Sequence, residues 1–357
     1  MFDADGQAAR FIKTGGLLAA GNYSLTLASG AAGFVALGGL PLDGNADGTP
    51  GDAYSRSFTV LPFTGAVLAV QEFARGPGQV ANLDPAANGF FVSLAGASGA
   101  LSLVFDLQFD PQLLAVTGAT LAAGAPAGSS VATDLTQAGR LRVTLALGSA
   151  LPDAALRTLV SVQATVPASA SYGAAEVLAL RNLAINGGAI QARADDGLHA
   201  VAYLGDATGN RALGSDDVSL IQRVVVRADS GFAAWRLVDP VRIADVTRDN
   251  SLNSVDALLV ARAAAGLLVP ALPPIPVVAA PLVLPAAQNA QQSDAVPTTL
   301  LASKARTAAA PAVPVVVLSS KALDFGIDRQ ANASSGWVSA WLSGPKPAAT
   351  NAWKLTI

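Results

Sequence analysis

The chain of 357 residues contains no cysteine and a single histidine, His199. The absence of cysteine excludes disulfides, zinc–thiolate sites and thiol nucleophiles. A serine–histidine–aspartate triad would have to use His199, which lies in the apolar segment GLHAVAY, typical of a half-buried strand. The chain also lacks a phosphate-binding loop and a convergent pair of acidic residues for acid–base catalysis. We therefore expect a protein that is not an enzyme.

Charge is scarce as well. Asp, Glu, Lys and Arg make up 13% of the chain, and the net charge is −3 without any basic run. A field this weak does not steer nucleic acid or an anionic membrane, so neither is an expected partner. The first residues, MFDADGQAARFIKTGG, lack the basic head and apolar core of a signal peptide. Either an export signal lies elsewhere or this is a piece of a longer chain.

The longest uncharged stretch, residues 263–293, contains six prolines. A membrane-spanning helix does not tolerate that density, so the sequence predicts a Pro/Ala-rich linker over residues 269–312. The tail that follows, residues 313–357, has a strand-like run at 313–318. It also holds three of the four tryptophans, Trp337, Trp341 and Trp353. Because an indole buries a large apolar area, we expect the tail to dock on another surface.

The N-terminal residues 1–75 read as short strands. Tyr23, Leu25 and Leu27 alternate with polar neighbours, and Phe58 and Val60 indicate a second strand. The strands AAGNYSLTL and SFTV resemble the end of a bacterial immunoglobulin-like surface domain. Such a sandwich needs nearer 100 residues, so this one is expected to lack strands. They would lie upstream in a parent chain or come from another segment.

Residues 76–203 show longer alternation, with strands separated by Gly- and Pro-containing turns. The pattern predicts an all-β sandwich. The segment LVFDLQFDPQLLAVTGATL resembles the cohesin family, which has an aromatic-Asp-Pro-x-x-Leu corner after an early strand. Phe109, Asp110, Pro111 and Leu114 occupy that corner. GRLRVTLALGSAL and LRTLVSVQATVP match the strands that follow in order and spacing. The resemblance implies a protein-binding sandwich.

Residues 204–268 contain the same twelve-residue pattern twice, the second copy 39 residues after the first. Positions 1, 3, 5, 7 and 12 carry side-chain oxygens, or a backbone carbonyl at position 7, as Ca2+ requires. These positions are Asp206, Thr208, Asn210, Ala212 and Asp217, and then Asp245, Thr247, Asp249, Ser251 and Asp256. Each loop runs into an apolar helix. Two Asx-rich turns that merely cap helices are the alternative interpretation.

The pair resembles the type I dockerin module, in which two calcium loop–helix repeats lie back to back. The resemblance implies that positions 10, 11, 17 and 18 face a cohesin partner. Here those positions include Ser215, Asp216, Gln222, Arg223, Ser254, Val255 and Arg262. Position 6 departs from the family, because Arg211 and Asn250 replace the usual glycine of a left-handed turn. The second loop has three carboxylates against two in the first, so we expect it to bind Ca2+ more tightly.

A third candidate calcium loop, DGNADGTPGDAY, lies between the N-terminal strands. It places Asp43, Asn45 and Asp47 at positions 1, 3 and 5, with Asp52 close behind. Asx and Gly residues also crowd ordinary turns. The sequence nevertheless predicts a third Ca2+ site here.

The sequence therefore predicts a mainly β protein with two sandwich-type domains, a small α module of calcium loop–helix repeats and an extended tail. The leading functional hypothesis is a non-catalytic, calcium-stabilised structural or adhesion protein of the bacterial surface or extracellular space. Its repeats would contact the sandwich of the same chain, or the next copy in a self-assembling filament. The alternative hypothesis is a cellulosome-like scaffold or docking fragment of a glycan-degrading enzyme.

Overall fold

The computed structural model describes residues 10–30, 33–35, 39–83, 89–236, 238–276, 340–342 and 355–356. The predicted mainly β class is confirmed. The strands are β1 (Arg10–Phe11), β2 (Gly21–Leu27), β3 (Tyr54–Val60), β4 (Ala66–Val70), β5 (Phe73–Ala74), β6 (Phe90–Ala95), β7 (Ser102–Gln108), β8 (Ala115–Leu121), β9 (Ser130–Asp134), β10 (Arg140–Ala146), β11 (Arg157–Thr165), β12 (Ala175–Ile185), β13 (Ala192–Asp195), β14 (Gly197–Ala200), β15 (Ala340–Leu342) and β16 (Leu355–Thr356). The helices are α1 (Ser215–Val225), α2 (Pro240–Ala244) and α3 (Ser254–Ala264), with short 3-10 turns at Asn186–Gly188 and Ala233–Trp235. Among the described residues, no helix is long and apolar enough to cross a membrane.

Two facing sheets form the central sandwich. One has the strand order β5-β14-β12-β7-β10-β9 and the other β13-β4-β6-β11-β8. Both sheets are antiparallel apart from the parallel pairs β13–β4 and β14–β5. Alternate side chains point inward, as the pattern predicts: Leu103, Phe105 and Leu107 on β7 are fully buried.

The predicted Phe-Asp-Pro corner follows β7 directly. The amide of Phe109 donates to Gly139 O at 2.9 Å, and Leu114, fully buried, donates to Asp110 O at 2.9 Å. The Asp110 amide in turn donates to the Glu176 carboxylate of β12 at 2.5 Å. His199, predicted to be a half-buried strand residue, lies on β14 with no exposed surface and bonds Glu176 through Nδ1 at 2.9 Å.

The predicted boundary at residue 75 lies inside the sandwich. Strand β4 pairs with β6 and β13, and Ala66, Leu68 and Val70 belong to the main core. The sandwich thus begins about ten residues earlier than predicted, because the short AVLAV alternation belongs to this core.

The N-terminal part is smaller than an immunoglobulin-like domain. Within the described residues it consists of the antiparallel pair β2–β3. Its core contains Leu25, Leu27 and Leu42, against which Phe34, Tyr54 and Phe58 pack. A two-stranded ribbon with so few apolar residues is marginally stable alone.

The loop–helix module, residues 204–268, packs on one end of the sandwich. A second core joins Ala74, Leu198 and Ala200 of the sandwich edge to Trp235 and Ile243 of the module. Within the module, α1 packs against α3. The two predicted repeats therefore share a hydrophobic core with the sandwich of the same chain.

The packed unit continues past residue 268, where the linker was predicted to begin. Val269 is 5% exposed and belongs to the second core. The side-chain amide of Gln79 donates to Pro273 O at 3.4 Å and Pro274 O at 3.0 Å. The predicted strand at 313–318, Trp337 and Trp353 lie outside the described residues. The backbone of β15 pairs with β1 and β16.

Candidate metal-binding and docking module

The first aspartate of each loop organises the turn that follows it. Asp206 Oδ1 accepts hydrogen bonds from the amides of Gly209 at 2.7 Å and Asn210 at 3.1 Å. Its other oxygen, Oδ2, accepts from the amide of Arg211 at 2.7 Å. Amides of positions 4, 5 and 6 thus converge on the carboxylate of position 1.

The second loop repeats this pattern residue by residue. Asp245 Oδ1 accepts from the amides of Arg248 at 2.6 Å and Asp249 at 3.2 Å. Oδ2 accepts from the amide of Asn250 at 2.8 Å. Because the same contacts recur 39 residues apart, the two loops share one backbone conformation.

The aspartate at position 12 closes each loop. Asp217 accepts from the amides of Thr208 and Gly214, both at 2.8 Å. In the second loop, Asp256 accepts from the amides of Thr247 and Asn253, both at 2.9 Å. Asp217 and Asp256 stand in the first turns of α1 and α3. They therefore also cap these helices, as a capping box does.

The position-12 caps fit the interpretation of the loops as ordinary helix-capping turns, but the burial of charge does not. Asp206, Asp217 and Asp256 are 0% exposed and Asp245 is 7% exposed. Within the described residues, none of the four forms an ion pair. Burial, with the neighbouring charge of Asp256, raises the pKa of Asp245 above its ordinary value. Paired buried carboxylates without a compensating cation are unfavourable.

The donor chemistry fits a hard divalent cation. Thr247 Oγ1 lies 3.2 Å from Asp245 Oδ1 and 3.0 Å from Asp256 Oδ1, so one hydroxyl reaches both carboxylates. Asn210 and Asp249 at position 5 accept from the amides of Ala212 and Ser251 at position 7, at 2.8 and 2.9 Å. No group of three His, Cys, Asp or Glu residues able to hold a metal occurs in the described part of the chain. A bound ion would therefore need the threonine, Asn210 and backbone oxygens too, which suits Ca2+.

The two loops differ in what surrounds their first aspartate. In the first loop, the hydroxyls of Thr208 and Tyr172 add to the three amides on Asp206, at 3.0 and 2.5 Å. A carboxylate has about four acceptor sites, so Asp206 is saturated. Burial, with the hydrogen bond to Asp206, raises the pKa of Tyr172. In the second loop Asp245 has four donors. By the same count Asp245 is also saturated, with one donor fewer than Asp206.

Position 6 has a left-handed backbone in both loops. The φ angle is +69° at Arg211 and +60° at Asn250. Asparagine tolerates this conformation, whereas an arginine costs about 1 kcal/mol. The first loop therefore carries this strain at Arg211.

The third loop shares the first half of this geometry. Asp43 accepts from the amides of Asp47 at 3.2 Å and Gly48 at 2.8 Å, which are positions 5 and 6. Asp52 accepts from the amides of Gly44 at 2.9 Å and Asn45 at 3.0 Å. The hydrogen bonds order the turn around Asp43 and Asp52, but they do not gather its three carboxylates into a group able to hold a metal.

The predicted partner-facing residues do not lie in the contact with the sandwich. The module reaches the sandwich through its loops, Trp235 and α2. Within the module, Trp235 Nε1 donates to Asp206 O at 2.8 Å. All seven partner-facing residues are exposed: Ser215, Asp216, Gln222, Arg223, Ser254, Val255 and Arg262. Among them Val255 is 49% exposed, and the nearby Leu258 of α3 is 58% exposed.

Sequence patterns missed the junction between the module, the sandwich and the N-terminal segment. A cleft of about 460 Å³ opens there, lined by Glu72 and Asp195 of the sandwich and Arg242 and Asp245 of the module. Burial raises the pKa of Glu72 to about 7, although Arg242 opposes this. Burial also raises the pKa of Asp195 to about 6. These residues come from distant parts of the chain, so no spacing rule could have grouped them.

No protein-family model matches the chain, and no curated protein does. Similar solved structures include a non-cellulosomal cohesin from the archaeon Archaeoglobus fulgidus, with a TM-score of 0.31 and 14% identity over 38% of this chain and 89% of that one. Another is the sixth cohesin of Acetivibrio cellulolyticus scaffoldin B in complex with a mutant Cel5 dockerin, with a TM-score of 0.33 and 17% identity over 39% of this chain and 99% of that one. A third is CaCohA2 of Clostridium acetobutylicum, with a TM-score of 0.33 and 14% identity over 38% of this chain and 90% of that one. Similarity at this level assigns no function to the chain.

Proposed function

We propose that this chain is a non-catalytic, calcium-stabilised structural protein that assembles through its loop–helix module. The observation that carries the proposal is the exposure of the predicted contact residues on α1 and α3, which we call the free helical face. The module is already packed on its own sandwich, yet the seven predicted contact residues remain exposed. A surface so placed is available to another molecule.

The partner we propose is the sandwich of a second copy. Contact within one chain through the predicted residues is disfavoured, because the module meets its own sandwich through a different face. The free face combines the exposed apolar side chains of Val255 and Leu258 with the charges of Arg223 and Arg262, a mixture that suits a protein interface. Head-to-tail contacts of this kind form filaments when the rotation does not close.

The N-terminal ribbon supports a second assembly contact. Within the described residues, β2 and β3 pair with each other and with no further strand. An unpaired edge accepts an additional strand. The apolar run at residues 313–318 is the proposed donor, reaching a neighbouring copy across the linker.

Calcium has a stabilising role in this proposal. A cation that binds the folded loops and not the unfolded chain adds its binding free energy to stability. It replaces the disulfides that a chain without cysteine cannot form. Loops of this kind with weak affinity are filled at extracellular calcium concentrations, so we place the protein outside the cell or on its surface.

The test is mass by light scattering, with Ca2+ and with excess EGTA. It compares the intact chain, a chain ending at Asn289 and the variant Val255→Asp. We expect calcium-dependent assemblies of the intact chain that shorten or disappear in both altered forms. The matched control is Leu61→Asp, which adds the same charge at a side chain that is 68% exposed but outside the module. A monomeric intact chain under all conditions contradicts the assembly.

A further inference from the structure

The sixth position of both loops carries a large side chain where the backbone is left-handed. Glycine adopts this conformation freely, and other residues do so at a cost. Arg211 and Asn250 accept it at φ +69° and +60°. Arg211 adopts it at a cost, whereas Asn250 tolerates it, and the contacts that both side chains make at the junction with the sandwich point to a use for them.

In the first loop, Arg211 reaches the sandwich through Tyr172, which precedes β12. The guanidinium carbon lies 5.0 Å from the centre of the tyrosine ring, within cation–π range. The Tyr172 hydroxyl donates to Asp206 at 2.5 Å and accepts from the amide of Tyr203 at 3.1 Å. The first loop therefore contacts Tyr172 through Asp206 at position 1 and through Arg211 at position 6.

In the second loop, Asn250 reaches the sandwich through Arg242 of α2. Asn250 Oδ1 accepts from Arg242 Nη2 at 3.0 Å, and Arg242 Nη1 pairs with Glu72 Oε2 at 3.3 Å. Glu72 lies between β4 and β5 and also accepts from the amide of Gly15 at 2.9 Å. The Arg242 and Glu72 side chains are 8% and 9% exposed, so each charge depends on the other.

We propose that Arg211 and Asn250 couple metal binding in the loops to the docking of the module on the sandwich. This inference rests on the proposed calcium binding. A cation held by position 5 and by the carbonyl of position 7 fixes the backbone on both sides of position 6. The side chain at position 6 then keeps its contact with Tyr172 or Arg242. Such coupling is reciprocal, so docking raises the affinity for metal by the same factor.

The test is calcium titration calorimetry on the intact chain and on the variants Glu72→Gln and Arg211→Ala. Glu72 belongs to the sandwich and to neither loop, so a merely structural role leaves calcium affinity unchanged. Alanine at position 211 keeps the left-handed strain and removes the contact with Tyr172. We expect Glu72→Gln to weaken the second site and Arg211→Ala the first, each by about five-fold or more.

The matched control is Asp153→Asn, which removes an ion pair with Arg157 at 3.0 Å elsewhere on the sandwich. It should leave both affinities unchanged. Circular dichroism checks that each variant is folded; should Glu72→Gln not fold, the exposed Arg211 decides the outcome. Unchanged affinities in folded variants overturn the coupling and leave calcium binding standing. A wild-type chain that binds no calcium overturns the proposed function itself.

Discussion

Replacing Asp256 by asparagine distinguishes whether this residue is a metal ligand or only a helix cap. Asp256 is fully buried and accepts from the amides of Thr247 and Asn253, both at 2.9 Å. Asparagine retains one acceptor oxygen, so one of these bonds is lost at a cost of about 1 kcal/mol. The substitution also removes a buried negative charge, which offsets part of that loss when no metal is bound. In EGTA the variant should therefore be only slightly less stable than the wild type.

Calcium should widen this difference. A ligand at one hundred times its dissociation constant stabilises the folded state by about 2.7 kcal/mol, and the variant loses this contribution at the second loop. Denaturant unfolding with and without Ca2+ measures both values. The control is Asp216→Asn, which removes an exposed carboxylate from the first turn of α1. If Asp256→Asn destabilised the protein equally in Ca2+ and in EGTA, Asp256 would be a helix cap and the metal interpretation of this loop would be refuted.

Three further predictions concern the junction and the cores. In the folded protein the pKa of Glu72 is about 7, above its ordinary value of 4.5. The stabilisation that protonated Glu72 provides is therefore complete below pH 4.5 and is lost as the pH rises through 7. Glu72→Gln should reduce the pH dependence of the unfolding free energy over this range. Phe105→Ala in the fully buried sandwich core should cost about 3–5 kcal/mol in denaturant unfolding. Trp235→Phe removes the donor to Asp206 O at 2.8 Å and should cost about 1–3 kcal/mol, measured by thermal unfolding. No loss would contradict a stabilising role of this bond within the module.

The sandwich strands were largely predictable because each strand buries one face. The alternation around Leu103, Phe105 and Leu107 identifies β7, and the structure buries the same side chains. The corner at Phe109 and Asp110 was expected from the resemblance to cohesins. The boundary at residue 75 was wrong because β4 is five residues long, too short for its alternation to reveal which core it joins.

The loops were predictable for a different reason. Their geometry depends on contacts within twelve residues, so spacing alone places Asp206 near Asp217 and Asp245 near Asp256. What surrounds them was not predictable. Tyr172 lies 34 residues before Asp206 in the chain, and Glu72 and Arg242 meet only because the module packs on the sandwich edge. Contacts over such distances leave no periodic signal in one sequence.

Calorimetric titration of the intact chain with Ca2+, beside the double variant Asp217→Asn/Asp256→Asn, decides whether the two loops of the module bind calcium. We expect at least two sites in the wild type, the second loop binding more tightly than the first, and the loss of both module sites in the double variant. Asp216→Asn should bind as the wild type does. One site can remain in the folded double variant, at the N-terminal loop of Asp43; the survival of either module site, or no binding by the wild type, would contradict the assignment of these loops to calcium.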